Sequence, residues 1–330
     1  MKKKIIIITS IFISIIGIIL FLLYGPYEGF RSFWITTAMT TKSHQYLAKI
    51  FYSDEVINKV LESNEIIEPS NNTDMTLINT DKTNNTIYKD EFDKEILDRE
   101  DNALYKIIEI KEKTYKGFLA AIYDPSKVKL ATTKYSYKGE YLVDMAKDNN
   151  AVLAINGGGF IDLNGEGDGG SAVGIVIKDG KIINNSYSGK GIIGLTNDNK
   201  LYLGKITANE AINIGIRDAV EFGPFLIVNG EESKVVGNGG YGLHPRSAIG
   251  QREDGIILFL VIDGRSITSL GADMDDLIYI MKRYGAVNAA NLDGGNSSAL
   301  VENGVILNNP IDWYNQSQTR PIPNGFIVVE

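Results

Sequence analysis

The chain opens on three lysines, Lys2 to Lys4, and then runs without charge from Ile5 to Tyr24 in isoleucine, leucine and phenylalanine. Roughly 20 apolar residues at ~1.5 Å each span a bilayer's hydrocarbon core, so the pattern predicts a transmembrane helix over residues 1–24. A cleaved signal peptide is the competing reading. Its apolar region is usually ~7–15 residues and ends at an Ala-x-Ala-like site, which Tyr24-Gly25-Pro26-Tyr27 does not offer. The lysines keep the N-terminus cytoplasmic and place the remainder outside, giving a single-pass protein of the cell membrane. Within 25–67, Tyr46, Leu47, Ile50, Phe51, Ile57, Val60 and Leu61 fall near one stripe, the pattern of an amphipathic juxtamembrane helix from Ser43 to Leu61. Residues 68–93 turn to Asn, Thr and Asp and predict a flexible linker. From 94 to 330 the runs at 106–111 and 255–262 read as strands, and those around 139–149 and 273–284 as helices.

An internal similarity organises this last region. Ala151-Val152-Leu153-Ala154-Ile155-Asn156-Gly157-Gly158 resembles Ala286-Val287-Asn288-Ala289-Ala290-Asn291-Leu292-Asp293-Gly294-Gly295. A predicted helix precedes each copy, and a hairpin turning on Asp179-Gly180 or Asn303-Gly304 follows, since such turns need positive φ. The expected fold class is therefore α+β: a twisted mixed β-sheet core with flanking helices and a pseudo-twofold repeat whose Gly-Gly loops face one cleft.

Composition narrows the chemistry. With no cysteine in 330 residues there is no disulfide, thiolate metal site or cysteine nucleophile. Two histidines, His44 and His244, are too few for a multi-histidine zinc site. The formal charge is −8, and beyond the three lysines 30 basic residues face 41 acidic ones. That balance speaks against nucleic acid as a partner.

The densest polar run is Asn291-Leu292-Asp293-Gly294-Gly295-Asn296-Ser297-Ser298, at the end of an apolar strand. Its glycines permit close backbone approach to a ligand, Asp293 supplies a carboxylate, and Ser297 and Ser298 supply hydroxyls. Asp263-Gly264-Arg265 ends a second apolar run, and His244-Pro245-Arg246 adds an imidazole beside a guanidinium. The planar fork of arginine suits phosphate or carboxylate. Glu221 stands just before the turn at Gly223-Pro224.

Taken in order, Asn156-Gly157-Gly158-Gly159-Phe160, Gly223-Pro224 through Asn229-Gly230, Arg246-Ser247-Ala248-Ile249-Gly250, Asp263-Gly264-Arg265 and residues 291–298 resemble the phosphodiester glycosidase family over about residues 100–330. The chain departs at Gly159, Ser247 and Asn296, where that family commonly has Phe, Thr and Gly. The resemblance implies hydrolysis of a sugar-1-phosphodiester to free sugar and phosphomonoester, on an envelope polymer or glycan, with no required cofactor. An oxocarbenium-like transition state needs a carboxylate near the anomeric carbon, and glycosidases generally use a pair. Asp293 and Asp263 are the candidates, with Glu221 a further acid. Arg246 and Arg265 suit the phosphate, assisted by donors of Asn156, Gly157, Gly158, Asn291, Gly294, Gly295 and Asn296. His244 is placed to protonate the leaving oxygen or hold the phosphate. Which carboxylate is nucleophile or base stays open, as does the stereochemical course.

Asp162, Asn164, Glu166 and Asp168 place oxygen ligands at alternate positions, a candidate calcium loop, although Val173 at position twelve excludes an EF-hand. A non-catalytic scaffold binding phosphorylated polysaccharide is the alternative to an enzyme. A diesterase cutting the P–O bond lacks the multi-His/Asp metal cluster such chemistry uses.

Overall fold

In the computed structural model, residues 2–40, 44–80, 88–162, 167–186, 188–238, 241–311 and 319–330 are described. They form two units: Met1–Ile66 with Val235–Gly242, and Ile67–Lys234 with Leu243–Glu330.

In the first unit the apolar run is one helix, Lys2–Tyr24, long and apolar enough to cross a membrane. Its last turn is not left free: Leu23 is buried with Ile35, Ala38, Ala48, Tyr52 and Ile57. Tyr52 Oη donates to the Leu23 carbonyl at 2.9 Å, and Tyr24 Oη to the Phe51 carbonyl at 3.1 Å. The first occupies a carbonyl that the helix C-terminus otherwise leaves to water. The expected single helix over 43–61 is instead Tyr46–Lys49 and Asp54–Glu62, preceded by a further helix, Glu28–Met39. Ser53 breaks the stripe, because it adopts extended φ/ψ and accepts from Val56 N as an N-cap. The returning segment 235–242 is held by side chains. Asn238 N donates to Asn64 Oδ1 and Asn238 Nδ2 to Ser32 Oγ, both at 2.7 Å.

Among the described residues, the second unit contains three sheets of five or more strands. Seven strands run in the order Glu231–Glu232, Phe225–Val228, Ala286–Asn291, Arg246–Arg252, Ile257–Ile262, Lys116–Ile122, Tyr105–Lys111. Five more run Lys181–Ser186, Gly174–Lys178, Ile216–Phe222, Gly191–Thr196, Leu201–Gly204. The third sheet runs Val305–Ile306, Leu300–Glu302, Ala151–Asn156, Asn324–Val329, Val128–Thr132. Every pairing within these sheets is antiparallel, which corrects the mixed sheet expected. Tight hairpins cause it: Asp179-Gly180 and Asn303-Gly304 all have positive φ, the geometry that reverses a strand in two residues. One core joins the sheets, with Phe225 and Phe259, Ile193 and Val220, and Leu153 and Phe326 contributed by the three in turn.

The helices Leu142–Asp148 and Met274–Arg283 precede the strands Ala151–Asn156 and Ala286–Asn291, so both similar segments share an order of elements. Their strand partners differ. Leu300–Glu302, from the second segment, pairs with Ala151–Asn156, whereas Gly174–Lys178 from the first pairs with Ile216–Phe222.

The linker reading of 68–93 is corrected for the described residues. Glu68 Oε1 accepts from Phe225 N at 2.7 Å, Thr73 N donates to the Leu203 carbonyl at 3.0 Å, and Ile78 is buried. Asp93 makes a 2.6 Å ion pair with buried Arg252. A few well-placed anchors thus order a polar stretch with little apolar mass of its own.

The helix Met274–Arg283 opens on a capping box in which Asp273 and Asp276 each accept from the other's backbone N–H at 3.0 Å. Burial, with the Asp273 charge behind it, pushes the Asp276 carboxyl up to about 6. A raised acid binds its proton more tightly in the folded state, so ionising it costs stability as pH rises from its unfolded value of 3.8 through about 6. Asp276→Asn, which keeps the acceptor without the charge, should therefore melt higher than the parent at pH 7, with the gap closing by pH 4. Thermal denaturation of both proteins across that range checks this; a gap independent of pH refutes it.

Candidate active site

Asn156 and Asn291 end strands of different sheets, and the loops that follow them are bonded together. The Asn156 carboxamide, fully buried, makes the junction. Its Nδ2 donates to the Asp293 carbonyl at 2.6 Å, while its Oδ1 accepts from Ser247 Oγ at 2.7 Å and Ala299 N at 3.2 Å. Asp293 N donates back to the Gly157 carbonyl at 3.0 Å. Asn324 supports the first loop from below, taking Gly157 N on its carbonyl at 3.1 Å and Gly158 N on Oδ1 at 2.8 Å. A Cβ on Gly157 would lie 2.3 Å from Asn324 Oδ1, which explains the glycine there. Asn291 is tied separately, its Nδ2 donating to the Gly223 carbonyl at 3.0 Å, next to the cis Gly223–Pro224 peptide.

The Asp293 carboxylate, partly exposed, is oriented at both oxygens. Gly294 N donates to Oδ1 at 3.0 Å, and Ser297 Oγ donates to Oδ2 at 2.5 Å. Arg320 reaches the same Oδ2 with Nη2 at 3.2 Å and Ser297 Oγ with Nε at 2.8 Å. Two more guanidinium groups flank this turn. Arg265, itself at φ +61, bonds Asn296 Oδ1, and a Cβ on Gly295 would lie 3.1 Å from its Nη2. A Cβ on Gly294 would lie 3.9 Å from Nη1 of Arg246, whose Nε donates to the Ala272 carbonyl at 3.1 Å. Residues 293–297 thus carry one carboxylate among three arginines, a setting in which an anion is attracted and developing positive charge is stabilised.

The remaining sequence candidates are placed differently. Asp263 is buried, with Oδ1 accepting from Asn309 N at 2.7 Å and Asn308 Nδ2 at 3.3 Å. Burial pushes its carboxyl above the usual range, against the pull of those donors. No bond joins Asp263 to Asp293 among the described residues. Glu221, also buried, accepts from a neighbouring strand and a loop: Ile175 N at 2.9 Å on Oε2, and Ser188 N, Ser188 Oγ and Lys190 N at 2.9–3.0 Å on Oε1. His244 is buried and pairs its backbone with Ala272. Ser298 is buried beside Ser297. Of the calcium loop, Asn164 and Glu166 lie outside the described residues. Asp162 Oδ1 accepts from Gly167 N at 3.1 Å, and Asp168 Oδ1 from Gly170 N at 3.0 Å.

Sequence reasoning missed Asn324, Asn308 and Arg320. The first two are amides beside apolar strands, with no local signal. Arg320 had one: a single guanidinium just before Pro321 and the final strand.

The profile of the phosphodiester glycosidase family matches residues 149–329, a stretch that contains both loops and all three arginines. The chain belongs to that family. Among curated proteins, the SPbeta prophage-derived uncharacterized protein YomE of Bacillus subtilis (strain 168) is 31% identical over 212 residues, 61% of this chain and 31% of that protein. The chain thus spans about a third of the length of this relative. The catalytic domain of zebrafish N-acetylglucosamine-1-phosphodiester alpha-N-acetylglucosaminidase, auto-inhibited by its pro-peptide, shares the fold at a TM-score of 0.59 and 20% identity, over 70% of this chain and 85% of that one. A hypothetical protein from Synechocystis follows at 0.52 and 16%, over 68% and 61%.

Asn156→Ala should cost stability, since it strands the Ser247 hydroxyl, the Ala299 N–H and the Asp293 carbonyl at once. Unpaired buried groups cost ~1–3 kcal/mol each, and partial relaxation brings the expected loss to about 2–4 kcal/mol. Urea denaturation measures it, and a loss below about 0.5 kcal/mol would show that the two loops do not depend on this amide.

Proposed function

We propose that this phosphodiester glycosidase homologue is a membrane-anchored, extracytoplasmic hydrolase that cleaves the glycosidic bond of a sugar-1-phosphodiester in envelope polymers or glycans. The observation that carries the reading is Asp293, held at both oxygens in a turn flanked by Arg246, Arg265 and Arg320. In the reaction the bond from the anomeric carbon to the phosphate oxygen breaks, and its electron pair leaves with the phosphate. Water supplies the new hydroxyl at that carbon and releases a proton. The other product is a phosphomonoester, whose second ionisation lies near ~6, so a strong proton donor to the leaving oxygen is not essential at neutral pH. Arginines that bind the phosphate do that work, and Asp293 faces the positive charge that grows on the sugar. Asp263 is the second carboxyl in this reading.

Anchoring is supported by Leu23 and Tyr24. Their places in the helical unit would be lost if the apolar helix were removed after Tyr24. The protein extracted from membranes should therefore carry its N-terminal helix, as intact-mass measurement would show; a mature N-terminus beyond Tyr24 refutes the anchor.

Asp293→Asn should lower turnover of a sugar-1-phosphodiester by ~10²–10³-fold or more while binding is largely kept, because the amide fills the same space without charge. Arg265→Ala should weaken binding and turnover together, phosphate being present in both ground and transition states. Steady-state kinetics on a panel of sugar-1-phosphodiesters, beside calorimetric binding, decides the matter. Near-normal turnover by Asp293→Asn would make that carboxylate structural. A parent protein inert across the panel would leave a phosphoglycan-binding scaffold in place of an enzyme.

A further inference from the structure

Arg320 touches both loops of this site. Its guanidinium lies over the ring of Phe160, 4.7 Å from the centroid, on the segment that follows Asn156. From there Nε bonds Ser297 and Nη2 bonds Asp293, on the segment that follows Asn291. Stacking on an aromatic face fixes the plane of the group and leaves its edges for hydrogen bonds. Two of its nitrogens are used in this way, and among the described residues Nη1 has no bond. The side chain keeps 29% of its surface exposed, against 17% for Asp293. Ser297 accepts from Arg320 and donates to Asp293, so it orders the guanidinium and the carboxylate together.

A residue serving only to anchor Asp293 would be expected to fork across both carboxylate oxygens, the geometry in which arginine binds that group best. Here the contact is to a single oxygen at 3.2 Å, the longest of the three that hold the carboxylate. The tighter anchor is Ser297, at 2.5 Å. The guanidinium is held by its shelf and by the serine, with one edge left over.

We propose that Arg320 is a phosphate-recognition residue of this site, presenting the free edge of its guanidinium to the phosphate of the ligand while Phe160 and Ser297 hold it in place. The inference rests on the phosphodiester reading of the site and extends it to a residue outside the sequence motifs. Binding through Arg320 brings the phosphate against the same turn that fixes Asp293, so recognition of the leaving group and placement of the carboxylate depend on one side chain.

Calorimetric titration of the full-length protein in detergent with inorganic phosphate tests this without requiring turnover. Arg320→Ala should weaken phosphate binding at least tenfold, and Arg320→Lys should recover part of it as a point charge without the fork. Arg283→Ala, whose arginine pairs with Glu112 elsewhere, should leave it unchanged. Arg320→Gln retains an amide donor toward Asp293 but no charge, and it should also lose phosphate; it decides the matter should the alanine variant fail to fold. Phosphate affinity unchanged in the folded Arg320 variants overturns the proposal, as does a parent that binds no phosphate. Kinetics on sugar-1-phosphodiesters separate this from the activity itself. Loss of phosphate binding without turnover by the parent leaves Arg320 assigned and sinks the glycosidase reading. Turnover with phosphate affinity untouched by the variants sinks Arg320 alone.

Discussion

The Asn156 carboxamide is the constraint on which the site depends. It ends a strand of one sheet and reaches the chain of another, Nδ2 on the Asp293 carbonyl and Oδ1 on Ser247, while Oδ1 also takes Ala299 N beside a strand of its own sheet. Only a side chain with a donor and an acceptor at this reach can do both. Aspartate would place a carboxylate oxygen against the Asp293 carbonyl, and a hydrophobic residue would leave three polar groups without partners. Because the junction is buried, these bonds act where water cannot replace them. The turn that displays Asp293 is thus fixed from behind by an uncharged group, and its charged face is left for chemistry.

Much of this was legible in the sequence, for identifiable reasons. The Asp179-Gly180 and Asn303-Gly304 hairpins announce themselves because positive φ restricts which residues fit. The helices before the two similar strands show by their apolar spacing, and the N-terminal apolar helix by its length. The Asp293 loop was visible as a polar run at the end of an apolar strand. What stayed hidden depends on pairing between distant segments. Nothing local says that strands near 151 and 300 are neighbours while those near 151 and 286 lie in different sheets, and so the layout of sheets was misjudged. Residues 68–80 read as a linker because composition reports apolar mass. It does not report a few anchors such as Glu68 on Phe225 or Thr73 on Leu203. Glu221 shows the same limit: the sequence gives an acid beside a turn, but not the three backbone donors and the hydroxyl that its carboxylate accepts from.

The charge distribution suits the proposed phosphodiester ligand although the chain as a whole is acidic. The net charge of −8 disfavours indiscriminate attraction of polyanions. Arg246, Arg265 and Arg320 flank one short turn, where hydrogen bonds from fixed positions can add geometric selection.

The segment 235–242 gives the chain an unusual connectivity. It leaves the glycosidase unit after Lys234, is held among side chains of the N-terminal helices, and returns at Leu243, one residue before His244. The boundary between the units is therefore crossed three times, after Ile66, Lys234 and Gly242. Units joined in series can be exchanged by recombination at a single junction; these cannot. Any graft of the glycosidase unit onto another anchor would carry a loop made to fit the old one, so the two halves are expected to evolve as a single inherited piece.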